Sequence, residues 1–348
     1  MPKTIVGIDI SASSIRAVEL VDLSKARPTL VRHHEIKLPL GAVSRGEVAE
    51  PRTVAAALKQ LWSAGGFKAK DVVLGVGNSR VLARDLTVPK ASISQIRESL
   101  PFQVQEMLPF PAENALLDFY PISEGVGENG PVLNGLLVAA IKEAVLGNVA
   151  AVQLAGLNPI DVDLLPFALI RVLLRGEKAL GTTAIIDVGG STTTVVVATN
   201  GVPQFVRIIP TGGDDLTSAI STRLGIPLEQ AELHKRSMGL RGTVSSAEDQ
   251  VAVAAIFEVT SELITSLRNT LSYFAGARPT DTVSRVVLTG GGSLLSGFGD
   301  ALSEYTRLPV SLGDPFESVE VSRRSKGSPV DSGGSFAVAI GLAMGSAA

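Results

Sequence analysis

Val6-Gly7-Ile8-Asp9-Ile10-Ser11-Ala12-Ser13-Ser14-Ile15-Arg16-Ala17-Val18 has a counterpart at Ala184-Ile185-Ile186-Asp187-Val188-Gly189-Gly190-Ser191-Thr192-Thr193-Thr194-Val195-Val196. Both segments run along an apolar strand into Asp, then through a turn of small hydroxyl-bearing residues, and out along a second apolar strand. That pattern predicts a β-hairpin in each. A third strand follows at 30–38 and again at 204–210. Farther on, Asp71-Val72-Val73-Leu74-Gly75-Val76-Gly77 corresponds to Arg285-Val286-Val287-Leu288-Thr289-Gly290-Gly291-Gly292. Helical patterns at 52–64 and 247–275 precede these two strands. Self-similarity of this kind marks repeated structural units, so the chain reads as two copies of one α/β unit, near 1–180 and 181–348.

Each copy carries an insertion. The first, 80–157, predicts a small α+β subdomain. Its helices lie at 94–108 and 143–155 and its strands at 115–120 and 135–140. Its Gly- and Glu-rich segment 123–131 reads as a mobile loop tip. The second insertion, 213–282, is mostly helical, with a break at 239–246. Trp62 is read as a packing residue on the first helix.

Composition narrows the function classes. At roughly 100–200 residues per domain, 348 residues predict about two or three domains. Hydrophobic residues make up 45% and aromatics only 4%, so the core is built from Val, Leu, Ile and Ala, as in buried strands with packed helices. A net charge of −3 without a Lys/Arg run leaves no footprint for nucleic acid. The absence of cysteine excludes disulfides, thiolate zinc sites and Cys nucleophiles. The N-terminal residues lack a signal-peptide pattern. No apolar run approaches the roughly 18 residues of a membrane span, so direct membrane insertion is not expected.

The chemistry concentrates in the duplicated turns. Asp9 and Asp187 each end an apolar strand, and two such strands facing across a cleft would aim two carboxylates at one Mg²⁺. The turn backbone at Gly189 and Gly190 can approach phosphate oxygens. Ser11, Ser13, Ser14, Ser191, Thr192 and Thr193 add hydroxyls, and Arg16 adds positive potential. A lone Asp often merely begins a turn. Two at matching places in a repeat point to a shared site.

Three further motifs fit that site. Gly212-Gly213-Asp214 opens an amphipathic helix, and a helix N-terminus is an anion site. Glu232 and Lys235 share a helical face and could flank a purine and its ribose. Gly290, Gly291 and Gly292 end a buried strand and let backbone lie flat against a ligand. Ser293 and Leu294 follow, with Ser293 placed to cap the next helix. Other readings fail on the residues. No GxxxxGK[ST] motif is present, and Gly75-Val76-Gly77 lacks the third glycine of a dinucleotide fingerprint. The histidines make no metal-spaced set, and no Ser/His/Asp arrangement is readable.

This ordered set, spanning nearly the whole chain, resembles the actin, heat-shock chaperone ATPase and sugar kinase superfamily. Within it the chain looks like the PilM/FtsA branch, and most like the PilM family of type IV pilus assembly proteins. The local match is Phe102-Gln103-Val104-Gln105-Glu106-Met107-Leu108-Pro109-Phe110-Pro111, followed by Leu117-Asp118-Phe119, which is similar to the signature of that family's small extra subdomain. The resemblance implies an α/β actin-like ATPase fold. Its duplicated lobes would be 1A (1–79 plus 158–180) and 2A (181–212 plus 283–348), with inserted subdomains 1C (80–157) and 2B (213–282). It implies ATP and Mg²⁺ as cofactors, with Asp9–Arg16 and Asp187–Thr193 as phosphate loops. Glu232 and Lys235 would flank the adenosine, and Gly290 to Leu294 would back the base and phosphates. Residues 335–344 would form a small-residue helix crossing back near the hinge.

It further implies a cytoplasmic protein held at the inner face of the membrane by the N-terminal cytoplasmic segment of a PilN-like membrane protein. That segment would dock in a groove involving 1A and 1C, alongside other pilus platform proteins. The family usually has Gly where this chain has Ser11, and Lys where it has Arg16. The expectation is therefore ATP binding with weak or absent hydrolysis. Asp161 and Asp163, on the strand before the hinge helix, are the candidates to orient an attacking water. An FtsA-like cell-division protein is the alternative. It is disfavoured because Gly341-Leu342-Ala343-Met344-Gly345-Ser346-Ala347-Ala348 lacks the basic residues of a membrane-gripping helix. A metabolic kinase would need a substrate motif in the first half, and none is visible.

Overall fold

The computed structural model describes residues 4–326 and 335–345. The first half opens with β1 (Ile5–Ile10), β2 (Ser14–Val21) and β3 (Thr29–Lys37). A short ribbon of β4 (Val43–Ser44) and β5 (Glu47–Val48), helix α1 (Pro51–Gly65) and β6 (Asp71–Val76) follow. The insertion comprises β7 (Leu82–Pro89), α2 (Ile93–Gln103), β8 (Ala115–Gly127), β9 (Gly130–Ile141) and α3 (Lys142–Leu154). Strand β10 (Asn158–Leu164) and α4 (Leu165–Leu173) lead into the second half. That half continues through β11 (Thr182–Val188), β12 (Thr193–Thr199), β13 (Val202–Ile209), α5 (Gly213–Leu224), α6 (Leu228–Met238) and α7 (Ala247–Ala277). It ends with β14 (Val283–Thr289), α8 (Phe298–Thr306), β15 (Val310–Leu312), β16 (Glu320–Lys326) and α9 (Ala337–Gly345).

The duplication is visible in the sheets. One runs β10-β6-β1-β2-β3-β16 and the other β13-β12-β11-β14-β15. In each, an antiparallel three-strand meander lies beside a parallel strand. Val6 pairs with Val72 in the first sheet, and Ala184 with Val286 in the second. The central strands are apolar on both sides because helices cover both faces, the condition that selects continuous Val/Ile runs. Ile5 faces the core between the lobes, whereas Val6 and Ile8 face the cluster under α1. Trp62 on α1 packs on Phe67 and donates Nε1 to the Ala69 carbonyl at 2.9 Å.

The lobes meet at one core, formed by α4, α9 and the inner faces of both sheets. Small residues permit this contact. A Cβ on Gly7 would fall on the carbonyl oxygen of Ala339 in α9, and a Cβ on Gly341 would fall on that of Ala168 in α4. The sheet pairings also move a boundary. Strand β16 pairs with β3, and α9 packs on β1 and β2. The segment expected wholly with the second lobe, 283–348, therefore returns part of its length to the first.

Three local expectations are corrected. Residues 123–131 are not a loose loop tip, because β8 and β9, after a register shift between Pro121 and Ser123, stay paired out to Gly127 opposite Gly130. The glycines there sit within paired strand, and Gly130, at φ +119°, absorbs the turn. The helix expected over 94–108 is capped by Ser92 and ends at Gln103, two residues after Pro101, before a short 3₁₀ turn at Gln105–Met107. Finally, α7 is 31 residues long with a window of mean hydropathy 1.3, long and apolar enough for a membrane span. Part of its apolar surface is occupied in the fold, while Phe257 and Tyr273 are exposed. Leu263, Leu267 and Phe274 pack on the second sheet, and Ala252 and Ile256 pack on α5 and α6.

Gly7→Ala is expected to destabilise the protein by about 1–3 kcal/mol, the usual cost of forcing a methyl into a packed core. Denaturant unfolding measures this, and an unchanged midpoint would show that α9 does not press on β1.

Candidate functional site

The two Asp turns have the same backbone construction. Ser11 N–H donates to the Ser14 carbonyl at 2.9 Å, and Gly189 N–H donates to that of Thr192, also at 2.9 Å. Ser11 is thus the counterpart of Gly189, and Ser14 of Thr192. The Ser11 hydroxyl also bonds the Ser14 carbonyl, at 2.9 Å, so the extra side chain is held within its own turn. Both turns face one cleft of about 600 Å³ between the lobes, within the range of small-molecule sites. Asp9, Ser11, Ser13 and Arg16 line it from the first lobe, and Asp187, Gly189, Gly190, Ser191 and Thr192 from the second. Ser14 and Thr193 do not. Both are buried, and Thr193 Oγ1 donates to the Thr211 carbonyl at 2.7 Å.

Electrostatics separate the two carboxylates. Across the strands, Asp9 lies opposite Arg16 and Arg16 opposite Glu35. Arg16 Nη1 is 3.5 Å from Asp9 Oδ2, and Nη2 is 2.8 Å from Glu35 Oε1. Burial pushes the Asp9 carboxyl above its ordinary range, and Arg16 opposes the shift. The corresponding row in the second lobe reads Asp187, Thr194, Ile208 and has no cation. Burial, reinforced by the charge of Asp9, pushes Asp187 up to about 7, with Arg16 opposing only in part. Two carboxylates facing one cavity repel, and a cation between them would relieve this.

The wall beyond Asp187 comes from α5, α6 and the end of β14. The N-terminus of α5 differs from expectation. Gly213 N–H donates to the Gly189 carbonyl at 2.9 Å and Asp214 N–H to that of Gly190 at 2.7 Å. Gly212 N–H donates to Asp215 Oδ2 at 2.7 Å. The Gly213 and Asp214 amides are thus spent on clamping the second turn and that of Gly212 on Asp215. Gly212 lies beneath the turn, where a Cβ would strike the Gly190 carbonyl, while Gly213 and Asp214 line the cleft. Burial raises the Asp214 carboxyl, offset in part by Lys235.

Glu232 and Lys235 share a face of α6, 2.6 Å apart, and both line the cleft. Lys235 Nζ also donates to the Gly213 carbonyl at 3.0 Å and to Thr217 Oγ1 at 2.9 Å. Burial pushes Glu232 upward, but hydrogen bonds from Lys235, Thr217 and Arg236 outweigh it and hold the carboxyl below its usual range.

Gly290 sits at φ +83°, where a Cβ would meet Asp187 Oδ1 and the Val188 carbonyl, both at 2.5 Å. Only glycine lets the strand end lie against that carboxylate. A Cβ on Gly291 would meet nothing within 4 Å. Gly290, Gly291, Gly292 and Leu294 line the cleft. Ser293 does not cap the next helix, which begins after Gly297. Its hydroxyl closes its own turn on the Gly290 carbonyl at 2.7 Å.

Asp161 and Asp163 are not brought to the cleft. Asp161 is exposed, with Oδ1 accepting the Val162 N–H at 2.8 Å. Asp163 is ion-paired with Arg171, which also donates to the Gly341 carbonyl and so ties β10 to α9. Sequence reasoning missed Glu35, Arg236, Thr260 and the apolar wall of Leu216, Leu263 and Phe298, all of which line the cleft. No motif marks them, because strand register and helix packing bring them there.

The Asp187 shift has a measurable sign. Below pH about 4 its carboxyl is protonated folded and unfolded. As pH rises from there to about 7, the unfolded chain ionises it freely while the folded chain resists, so stability falls across that window and is flat above it. Asp187→Asn is expected to remove this loss and be more stable than wild type at pH 8. Denaturant curves at pH 5 and 8 test this, and parallel behaviour of the two proteins would contradict it.

The chain is similar to known proteins in family and fold. The family model described as type IV pilus assembly protein PilM matches residues 7–347. A solved PilM–PilN type IV pilus biogenesis complex contains a chain similar at TM-score 0.84 and 29% identity, over 97% of both chains. The ethanolamine utilization protein EutJ of Carboxydothermus hydrogenoformans is similar in fold alone, at TM-score 0.58 and 16% identity over 99% of this chain and 90% of that one. So is MreB5 of Spiroplasma citri bound to AMPPNP, at 0.53 and 13% over 97% and 94%. Among curated sequences, the cell division protein FtsA of Bacillus subtilis is 29% identical over 56% of this chain and 47% of its own length. FtsA of Pseudomonas aeruginosa is 25% identical over 90% and 84%. The chain thus spans about half the length of the first of these relatives. The fold is actin-like, and the chain belongs to the PilM family of type IV pilus assembly proteins.

Proposed function

We propose that this chain is a cytoplasmic nucleotide-binding protein of the type IV pilus assembly platform, taking ATP with Mg²⁺ between its lobes and docking a PilN-like membrane protein. The observation that carries the nucleotide reading is the pair of matching Asp turns facing one cleft. The residues fit the ligand. Asp9 and Asp187, which line the cleft from opposite lobes, would supply hard oxygen donors for Mg²⁺. The backbone of the two turns and Arg16 face the space for phosphates. Glu232 and Lys235 stand where ribose hydroxyls would be met, and Gly290 to Gly292 offer bare backbone to the base. Bound Mg²⁺ would neutralise phosphate charge. With Asp161 and Asp163 outside the cleft, hydrolysis is expected to be weak or absent.

The partner reading rests on family membership and on the solved PilM–PilN complex, in which the similar protein is PilM. The N-terminal cytoplasmic segment of the partner would dock between the first lobe and its insertion and hold this chain at the inner face of the membrane. Other platform proteins would assemble around that pair. Strand β10 is the end strand of the first sheet and exposes Ile160 and Val162, which suits an extended apolar segment. Closure of the lobes on nucleotide would shift the population competent to dock.

Mg·ATP at roughly 100 times its Kd is expected to add about 2.7 kcal/mol to the stability of the native state. Thermal unfolding with and without Mg·ATP should show the rise in wild type and its loss in Asp187→Ala. A protein with no rise and no binding by calorimetry would keep the fold without the nucleotide function. Titration with a peptide of the partner's cytoplasmic segment should show tighter binding when Mg·ATP is present. Equal affinity in both conditions would refute coupling.

A further inference from the structure

Glu35 belongs to neither duplicated turn, yet it faces the cleft beside Arg16. Directly opposed residues on adjacent strands share a face, so Asp9, Arg16 and Glu35 form one row across β1, β2 and β3. The guanidinium lies between two carboxylates and is held more closely by Glu35, at 2.8 Å, than by Asp9, at 3.5 Å. In the second lobe the row is Asp187, Thr194 and Ile208. The Arg16–Glu35 pair is therefore an addition to one copy and not part of the repeated framework.

Arg16 also has unused capacity. Its Nε is buried with no hydrogen-bond partner. An orphaned buried donor costs free energy until an acceptor arrives, and a planar guanidinium matches phosphate oxygens. The other cations lining the cleft, among the described residues, are committed. Lys235 serves Gly213, Thr217 and Glu232, while Arg236 is paired with Glu232 and largely exposed. Arg16 is the cation at the Asp9 end with a donor to spare, and Glu35 competes for it.

We infer that Glu35 is a positioning residue that holds Arg16 at the phosphate end of the cleft and, by competing with phosphate for the guanidinium, lowers nucleotide affinity. This rests on the nucleotide reading above. Phosphate oxygens draw Arg16 away from Glu35, so each binding event breaks an ion pair, and release restores it. The penalty follows the phosphates and not the nucleoside, which favours exchange over permanent occupancy.

Calorimetric titration of Mg·ATP and of adenosine into wild type, Glu35→Gln, Arg16→Met and the double variant tests this. Glu35→Gln is expected to tighten Mg·ATP by about 2- to 5-fold, the scale of a partly exposed ion pair, and to leave adenosine unchanged. With Arg16 already Met, the gain from Glu35→Gln should shrink to below about twofold, since the effect runs through Arg16. Glu35→Asp, which keeps the charge but shortens the reach, should also tighten Mg·ATP, and it serves if the Gln variant fails to fold. Unchanged or weaker Mg·ATP binding by these variants, or the same gain without Arg16, would overturn the inference alone. Absence of Mg·ATP binding by wild type would overturn the nucleotide reading and the inference together.

Discussion

Two carboxylates at the ends of equivalent strands, facing one cavity, are the constraint on which the remaining structure depends. Each lies where a buried apolar strand stops, so the fold that hides Ile5, Ile8, Ile185 and Ile186 also presents Asp9 and Asp187 to the cleft. Burial raises the proton affinity of both, which limits their repulsion, and Arg16 opposes part of the rise in each. Glycines then bring backbone to the same place. Gly290 lies against Asp187, and the amides of Gly213 and Asp214 hold the carbonyls of the second turn. The second turn is thus clamped by a helix, whereas the first is held by its own serines and by the Arg16 row.

The lobes share a single core through α4 and α9, and this makes the cleft a joint between two units. Asp163, Arg171 and the Gly341 carbonyl tie α4 and α9 to β10 of the first sheet. Gly7 lets β1 touch α9, and Gly341 lets α9 touch α4. A ligand that bridges the two turns acts across this joint, which is the physical route by which occupancy could reach a docking surface on the first lobe.

The duplicated hairpins were legible because Asp, turn residues and apolar alternation are local signals, and a repeat multiplies their weight. The glycine runs were legible for the same reason. What escaped reading depends on partners distant in sequence. Glu35 acquires its place from the register of β3 on β2, with a shift between Glu19 and Leu20 that no pattern announces. The amides of α5 look like an anion site until the turn they bind is folded beside them. Asp161 and Asp163 sit at a plausible strand end, but Arg171 claims one and the other faces outward. The glycines of 123–131 suggest a loop, and the pairing of β8 with β9 keeps them in strand. Residues 320–326 carry no hint that they join the first sheet, since the strand they pair with lies nearly the whole chain away.

The central claim is that both turns bind one nucleotide through one cation. A crystal structure with Mg²⁺ and a non-hydrolysable ATP analogue tests it most directly. The account predicts a single cation between Asp9 and Asp187, with phosphates against both turns. A nucleotide held by one lobe alone, or a cation away from these two carboxylates, would contradict it.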